Sequence, residues 1–162
     1  MIRFIKQRDL FRCGPVAVLN SLKFFGKKVT YKDLPRISKI CKSTRTGTSS
    51  FNLDTALRKL GKNYFSVRKL QGWSFDTIDE ALRNNKLVVV NYDWEDRKIE
   101  GTVTIIRIQG HFTILVRDKF YNYYAVNNVR GKGVTPLRFD SFRSIQQRKN
   151  SIKAMWVLSK IK

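Results

Sequence analysis

One imidazole and two thiols, those of His111, Cys13 and Cys41, are all that 162 residues contain. Two cysteines cannot build a disulfide framework, and no Cys/His cluster has zinc-ligand spacing. Neither a disulfide-stapled scaffold nor a zinc module is expected, and the sequence asks for no cofactor. Long apolar runs are missing too, none approaching the ~18 residues of a membrane-spanning helix. The opening MIRFIKQRDLF lacks the apolar stretch and small-residue cleavage site of a secretory signal. These absences predict a soluble protein of a reducing, cytoplasmic compartment with no membrane partner. Proline is scarce, at three residues, and no repeat or Pro/Gly/Ser-rich linker divides the chain. Its length and an apolar content of 42% suit a single domain over residues 1–162. The most turn-like stretch, KSTRTGTSS at 42–50, reads as a loop inside that domain.

Negative charge is the scarcest commodity. Asp and Glu number 12 against 33 Lys and Arg, for a net charge of +21 and a pI near 10.4. Residues 76–100 hold seven acids against four bases, a local net of −3, which leaves +24 elsewhere. No acid follows Asp140, whereas Arg143, Arg148 and Lys149 do. Such a surface attracts polyanions. Arg36, Lys39, Lys42 and Arg45 around the 42–50 loop, with Arg143, Arg148 and Lys149, are the expected contacts for nucleic acid or another polyanion, without sequence preference.

What is present has two periods. CGPVAVLNSLKFF reads as a buried helix, with Pro15 in its first turn and Gly26 as its stop. YKDLPRISKIC, residues 31–41, predicts a second, shorter helix. SFNLDTALRKLG predicts a third, with Ser50 as N-cap and Gly61 past its end. SFDTIDEALRNN predicts a fourth, capped by Ser74. The second half turns to short β-branched and aromatic runs: KLVVVNYDW, TVTIIRI, HFTILVRD, YNYYAVNNV and KAMWVLSK, with FSVRKL as a further strand. Helices first and a mostly antiparallel sheet after them make an α+β protein.

Against this background FIKQRDLFRCGPVAVLN stands out. It sets Cys13 at a helix N-terminus, where a thiol ionises more easily. The one histidine opens a strand just after Gly110, and YYAVNNV follows about 16 residues later. A thiol nucleophile, an imidazole to take and return its proton, and a side chain to hold the imidazole are the parts of a thiol hydrolase. A glutamine side chain and the Cys13 backbone N–H would serve the developing oxyanion. Cys41 has no matching histidine and reads as a packing thiol. The aromatic run FYNYY reads as a strand with one core face, not a base-stacking platform.

The series Q-x5-C-G-P-x-A-x4-L-x3-G, then G-H-F-x-x-L, then Y-x-V-x-N resembles the papain-like cysteine peptidases of the bacteriocin-processing type, the double-glycine leader peptidases and their freestanding relatives. The resemblance covers nearly the whole chain. It implies a papain-like fold, a peptide or protein substrate, Cys13 as nucleophile, His111 as base and acid, and Gln7 as oxyanion donor. The imidazole-orienting position, Asp in that family, is Asn128 here, or Asn127 beside it. Strand alternation puts Tyr124, Val126 and Asn128 on one face and favours Asn128. An asparagine supplies no charge to an imidazolium, which implies weaker activity. The same site could serve an amidase, deamidase or acyl transferase. The departure from Asp and the charge of +21 also fit a non-catalytic, polyanion-bound structural or virion-type component that keeps the fold. Oligomeric state has no signature in the sequence.

Overall fold

The computed structural model describes residues 2–9, 11–70, 75–118, 122–127, 134–136 and 152–161. Helix α1 spans Cys13–Phe24, and a 3-10 turn at Tyr31–Asp33 leads into α2, Leu34–Ile40. Helix α3 is Ser50–Gly61 and α4 is Phe75–Arg83. The strands are β1 Phe65–Leu70, β2 Leu87–Glu100, β3 Val103–Arg117, β4 Tyr123–Val126, β5 Val134–Pro136 and β6 Ile152–Lys160. They form one sheet in the order β1-β6-β2-β3-β4-β5, every neighbouring pair antiparallel. The α+β architecture therefore holds, with β1 placed between α3 and α4. Among the described residues no helix is long and apolar enough to cross a membrane.

The last strand, β6, lies inside the sheet between β1 and β2. Both faces of these central strands are covered, which is why LVVV and AMWVL run apolar without alternating. Leu87 and Val89 join the core under α1 and α3, while Val88, Val90 and Tyr92 join a second core under α4. Phe112, Ile114 and Val116 of β3 face the α1 side, and Leu115 faces the α4 side. Every residue of α1 from Cys13 to Leu22 is buried, as suits a helix apolar around its whole circumference. Leu19 and Leu22 have no exposed surface, so trimming either to alanine costs ~2–5 kcal/mol.

Local expectations fare unevenly. Gly26 ends α1 at φ +91°, with its N–H on the Lys23 carbonyl and that of Lys27 on the Leu22 carbonyl, a left-handed stop that glycine tolerates best. For α3 the cap is Ser49, not Ser50: its Oγ accepts the Asn52 N–H at 3.1 Å. Gly61 is the helix's final residue, not a residue beyond it. Glycine is required there for space, since a Cβ would fall 2.2 Å from the Phe65 ring. Ser74 lies outside the described residues. TVTIIRI and HFTILVRD form one continuous strand, β3, because β2 pairs with it from Glu100↔Val103 to Val88↔Leu115. The ladder carries the chain straight through Gly110, and the turn sits instead at Gly101, φ +61°.

Candidate active site

Asp9 sets the start of α1. Its Oδ1 accepts the N–H groups of Phe11 and Arg12 at 3.2 and 2.9 Å, and its carboxylate lies 3.4 Å from the Arg12 guanidinium. These N–H groups precede the helix, which has no side-chain cap of its own, so Asp9 shapes the turn that leads into α1. The N-terminal arm is then pinned along α1 by Asn20, which is fully buried. Its Oδ1 accepts the Ile5 N–H at 2.8 Å and its Nδ2 donates to the Ile5 carbonyl at 2.9 Å. Asn20 was legible as a polar break in VAVLNSL, yet nothing local says what it holds.

Asn127 completes the clamp. Its Nδ2 donates to the Ile5 carbonyl at 2.9 Å, and its Oδ1 accepts the Gln7 N–H at 3.1 Å. Asn127 sits at φ +56° just after β4, a left-handed conformation that asparagine adopts more readily than most residues. β4 ends at Val126. Tyr124 and Val126 do face the α1 side, as the pattern required. Asn128 lies outside the described residues. The main-chain carbonyl of Asn127 takes the His111 Nε2 at 2.6 Å and the Thr113 hydroxyl at 3.4 Å. A carbonyl can only accept, so His111 carries its proton on Nε2 and leaves Nδ1 with a lone pair.

Cys13, at the head of α1, packs on the β3 segment that carries His111. Among the described residues, pairing of β3 with β4 runs from Ile114↔Val126 to Arg117↔Tyr123. Cys13 shares a core cluster and the lining of one cleft with Phe112, one residue along from the histidine, and the Phe112 N–H favours its thiolate. The imidazole lies edge-on to Tyr92, its partner across β2, with ring centroids 5.7 Å apart. The imidazole is hydrogen-bonded to the Asn127 carbonyl, not to the thiol.

Burial governs both proton affinities. The Cys13 thiol is pushed above its ordinary value, chiefly by desolvation and further by the Asp9 carboxylate. The N–H groups of Phe112, Gly14 and Cys13 itself pull the other way and do not prevail. The easier ionisation expected of a helix N-terminus is thus overturned by the water the sulfur has lost. His111 is pushed down, also mainly by burial, with the Asn127 carbonyl acting against it. The resting pair is a neutral thiol and a neutral imidazole.

Gln7 is half-buried, and its Nε2 donates to the Asp9 carbonyl at 2.5 Å. Beside Cys13 lies a cleft of about 670 Å³. Its walls are the Thr44–Gly47 turn, the head of α3, Asn91 of β2 and the Gly110–Phe112 segment. Thr48 packs so closely on α1 that a Cβ at Gly14 would fall 2.8 Å from its hydroxyl oxygen, which accounts for the glycine after Cys13. Asn91 is a buried polar side chain that VVVNYD places in an otherwise apolar strand. Cys41 is buried at the end of α2, far from any imidazole in sequence, and desolvation pushes its thiol up to about 12. Of the basic residues, Arg36, Lys39, Lys42 and Arg45 are exposed, and Arg36 lies 3.8 Å from Asp33. Arg143, Arg148 and Lys149 lie outside the described residues.

No family model and no curated protein sequence matches the chain. Solved structures do. The peptidase domain of Streptococcus ComA, a bifunctional ABC transporter involved in a quorum-sensing pathway, is similar with a TM-score of 0.66 and 18% identity, over 98% of each chain. A C39-like peptidase from Bacillus anthracis is similar with a TM-score of 0.65 and 13% identity, over 99% of this chain and 96% of that one. The chain has the papain-like fold of the C39, bacteriocin-processing peptidases.

Proposed function

We propose that this chain is a cysteine peptidase that cleaves a peptide or protein substrate through a Cys13 acyl-enzyme. The observation that carries the reading is that Cys13, at the head of α1, shares one core cluster and one cleft with Phe112, the residue beside His111 on β3. With the proton of His111 on Nε2, Nδ1 is the base that takes the thiol proton. The two must close to hydrogen-bond distance in the substrate complex, as looser unliganded sites do. Sulfur then attacks the scissile carbonyl carbon. The oxyanion receives the Cys13 N–H and the Gln7 amide hydrogen not committed to the Asp9 carbonyl. Collapse breaks the C–N bond, and the imidazolium gives its proton to the leaving amine. Water, deprotonated by the same ring, attacks the thioester and releases the acid and the free thiol. The ring is held through Nε2 by the Asn127 carbonyl. Acid quenching during turnover of a cleaved peptide, followed by mass spectrometry, should find the acyl group on the Cys13 peptide. Adducts only elsewhere, or cleavage undiminished in Cys13→Ala, would end this reading. An amidase, deamidase or acyl transferase would share the adduct and differ in the group released or the acceptor used.

A second reading, polyanion binding, is favoured by one observation. Lys39, Lys42 and Arg45 are exposed and have no carboxylate within 4.0 Å among the described residues. With Arg36, and with Arg143, Arg148 and Lys149, they would contact phosphates of nucleic acid without sequence preference. Filter binding of DNA at low and moderate salt should show retention that falls steeply with salt and is equal in Cys13→Ala. No retention at low salt would reduce the charge to a solubility feature.

A further inference from the structure

The cleft beside Cys13 has a one-sided chemistry. Its lining includes two cations, Arg45 and Lys153, several hydroxyls and no carboxylate. Arg45 rides on the tight Thr44–Gly47 turn and has no ion-pair partner among the described residues. The head of α3 opens into the same space. Ser49 Oγ and the Ser49 carbonyl take the N–H groups of Asn52 and Leu53, which leaves the two earlier ones, of Ser50 and Phe51, for a ligand. A second and independent feature lies in the lining of the same cleft. Asn91 is 8% exposed, its Nδ2 donates to Ser50 Oγ at 2.9 Å, and its Oδ1 is buried without a partner. A buried acceptor left unpaired costs ~1–3 kcal/mol, a cost that a donor supplied by a ligand removes.

We infer that this cleft is a subsite for an acidic residue of the substrate: Arg45, Lys153 and the head of α3 receive its carboxylate, and Asn91 Oδ1 accepts a main-chain N–H of the same peptide. A basic side chain would meet two like charges, and a neutral amide would forgo the charge-assisted bonds. The inference names the substrate class of the proposed peptidase and rests on that reading for its catalytic sense. It is tested by binding as well as by cleavage.

The probes are octapeptide pools that carry Glu, Gln or Lys at one fixed position and are otherwise randomised. Their binding to Cys13→Ala protein is read by fluorescence anisotropy at moderate salt. At one or two positions the Glu pool should bind at least about tenfold tighter than the Gln pool, and the Lys pool most weakly. Arg45→Glu should abolish this preference. Lys28→Glu makes the same change of charge at an exposed site beyond the far end of α1 and should keep it. Asn91→Ala should weaken Glu and Gln pools by the same factor. Equal binding of Glu and Gln pools, or equal loss with both charge reversals, would overturn the inference, the latter by assigning the effect to surface charge in general. Cleavage of the same pools by the unmodified protein separates the two readings. Cleavage without Glu preference sinks the acidic subsite alone. Glu-selective binding with no cleavage by the unmodified protein sinks the peptidase and keeps the subsite.

Discussion

The two cysteines occupy opposite ends of two helices, and the contrast explains what a site needs beyond a thiol. Cys13 is the first residue of α1, and Cys41 follows the last residue of α2. Both are buried, and burial raises both. For Cys41 desolvation is the only cause, and the thiol reaches about 12. At Cys13 three backbone N–H groups oppose the same penalty. A helix start offers free N–H groups to a thiolate, whereas a helix end offers carbonyls, which repel it. The lesson is that helix polarity makes a thiol available for chemistry only in proportion to the water it has kept.

The largest effect that tests this contrast is on catalysis. Cys13→Ala should lower peptide cleavage by ~10³-fold or more, while Cys41→Ala should leave the rate within about twofold and cost ~1 kcal/mol of stability through the small cavity it leaves. Chemical denaturation alongside the rate assay separates the two. Comparable loss of rate in both variants would erase the distinction between the thiols.

Next in size is alkylation. With its pKa raised, Cys13 is mostly protonated at neutral pH, so its reaction with iodoacetamide should climb about tenfold per pH unit and level off only above the ordinary thiol range. Cys41 should react only when the protein unfolds. Peptide mapping after timed labelling reads both residues. A Cys13 rate already flat at pH 7 would mean that the N–H groups outweigh burial.

A smaller effect follows from His111. Its folded pKa is depressed, so the unfolded chain binds the extra proton first as pH falls. The contribution to stability is complete above the unfolded value of ~6.5 and is lost as pH drops from there to the folded value. Urea titrations across pH 5–7.5 should show stability rising with pH, with a shallower slope in His111→Gln. The smallest effect concerns Asp9, whose carboxylate pushes the Cys13 pKa up. Asp9→Asn keeps an acceptor for the N–H groups of Phe11 and Arg12 and removes the charge. Cys13 alkylation at pH 7 should quicken about two- to threefold. A slower reaction would show that Asp9 acts mainly by holding the helix start.

The sequence by itself determined where α1 begins and ends, that Cys13 heads it, and that helices precede an antiparallel sheet. Those features rest on near neighbours: Pro15 in a first turn, Gly26 at a stop, an apolar period that changes from helical to strand-like. Only the tertiary structure decided the rest. Gly110 sits within a strand because β2 pairs past it. The Asn127 backbone turns left-handed just after β4 and offers its carbonyl to His111. The Gln7 amide is engaged by Asp9, and Asn20 and Asn127 clamp an arm that is 15 and 122 residues away from them in the chain at Ile5. The proton affinity of Cys13 reversed direction for the same reason. Propensity and capping act over a few residues of chain, whereas desolvation and long-range hydrogen bonds depend on every segment that packs around the group.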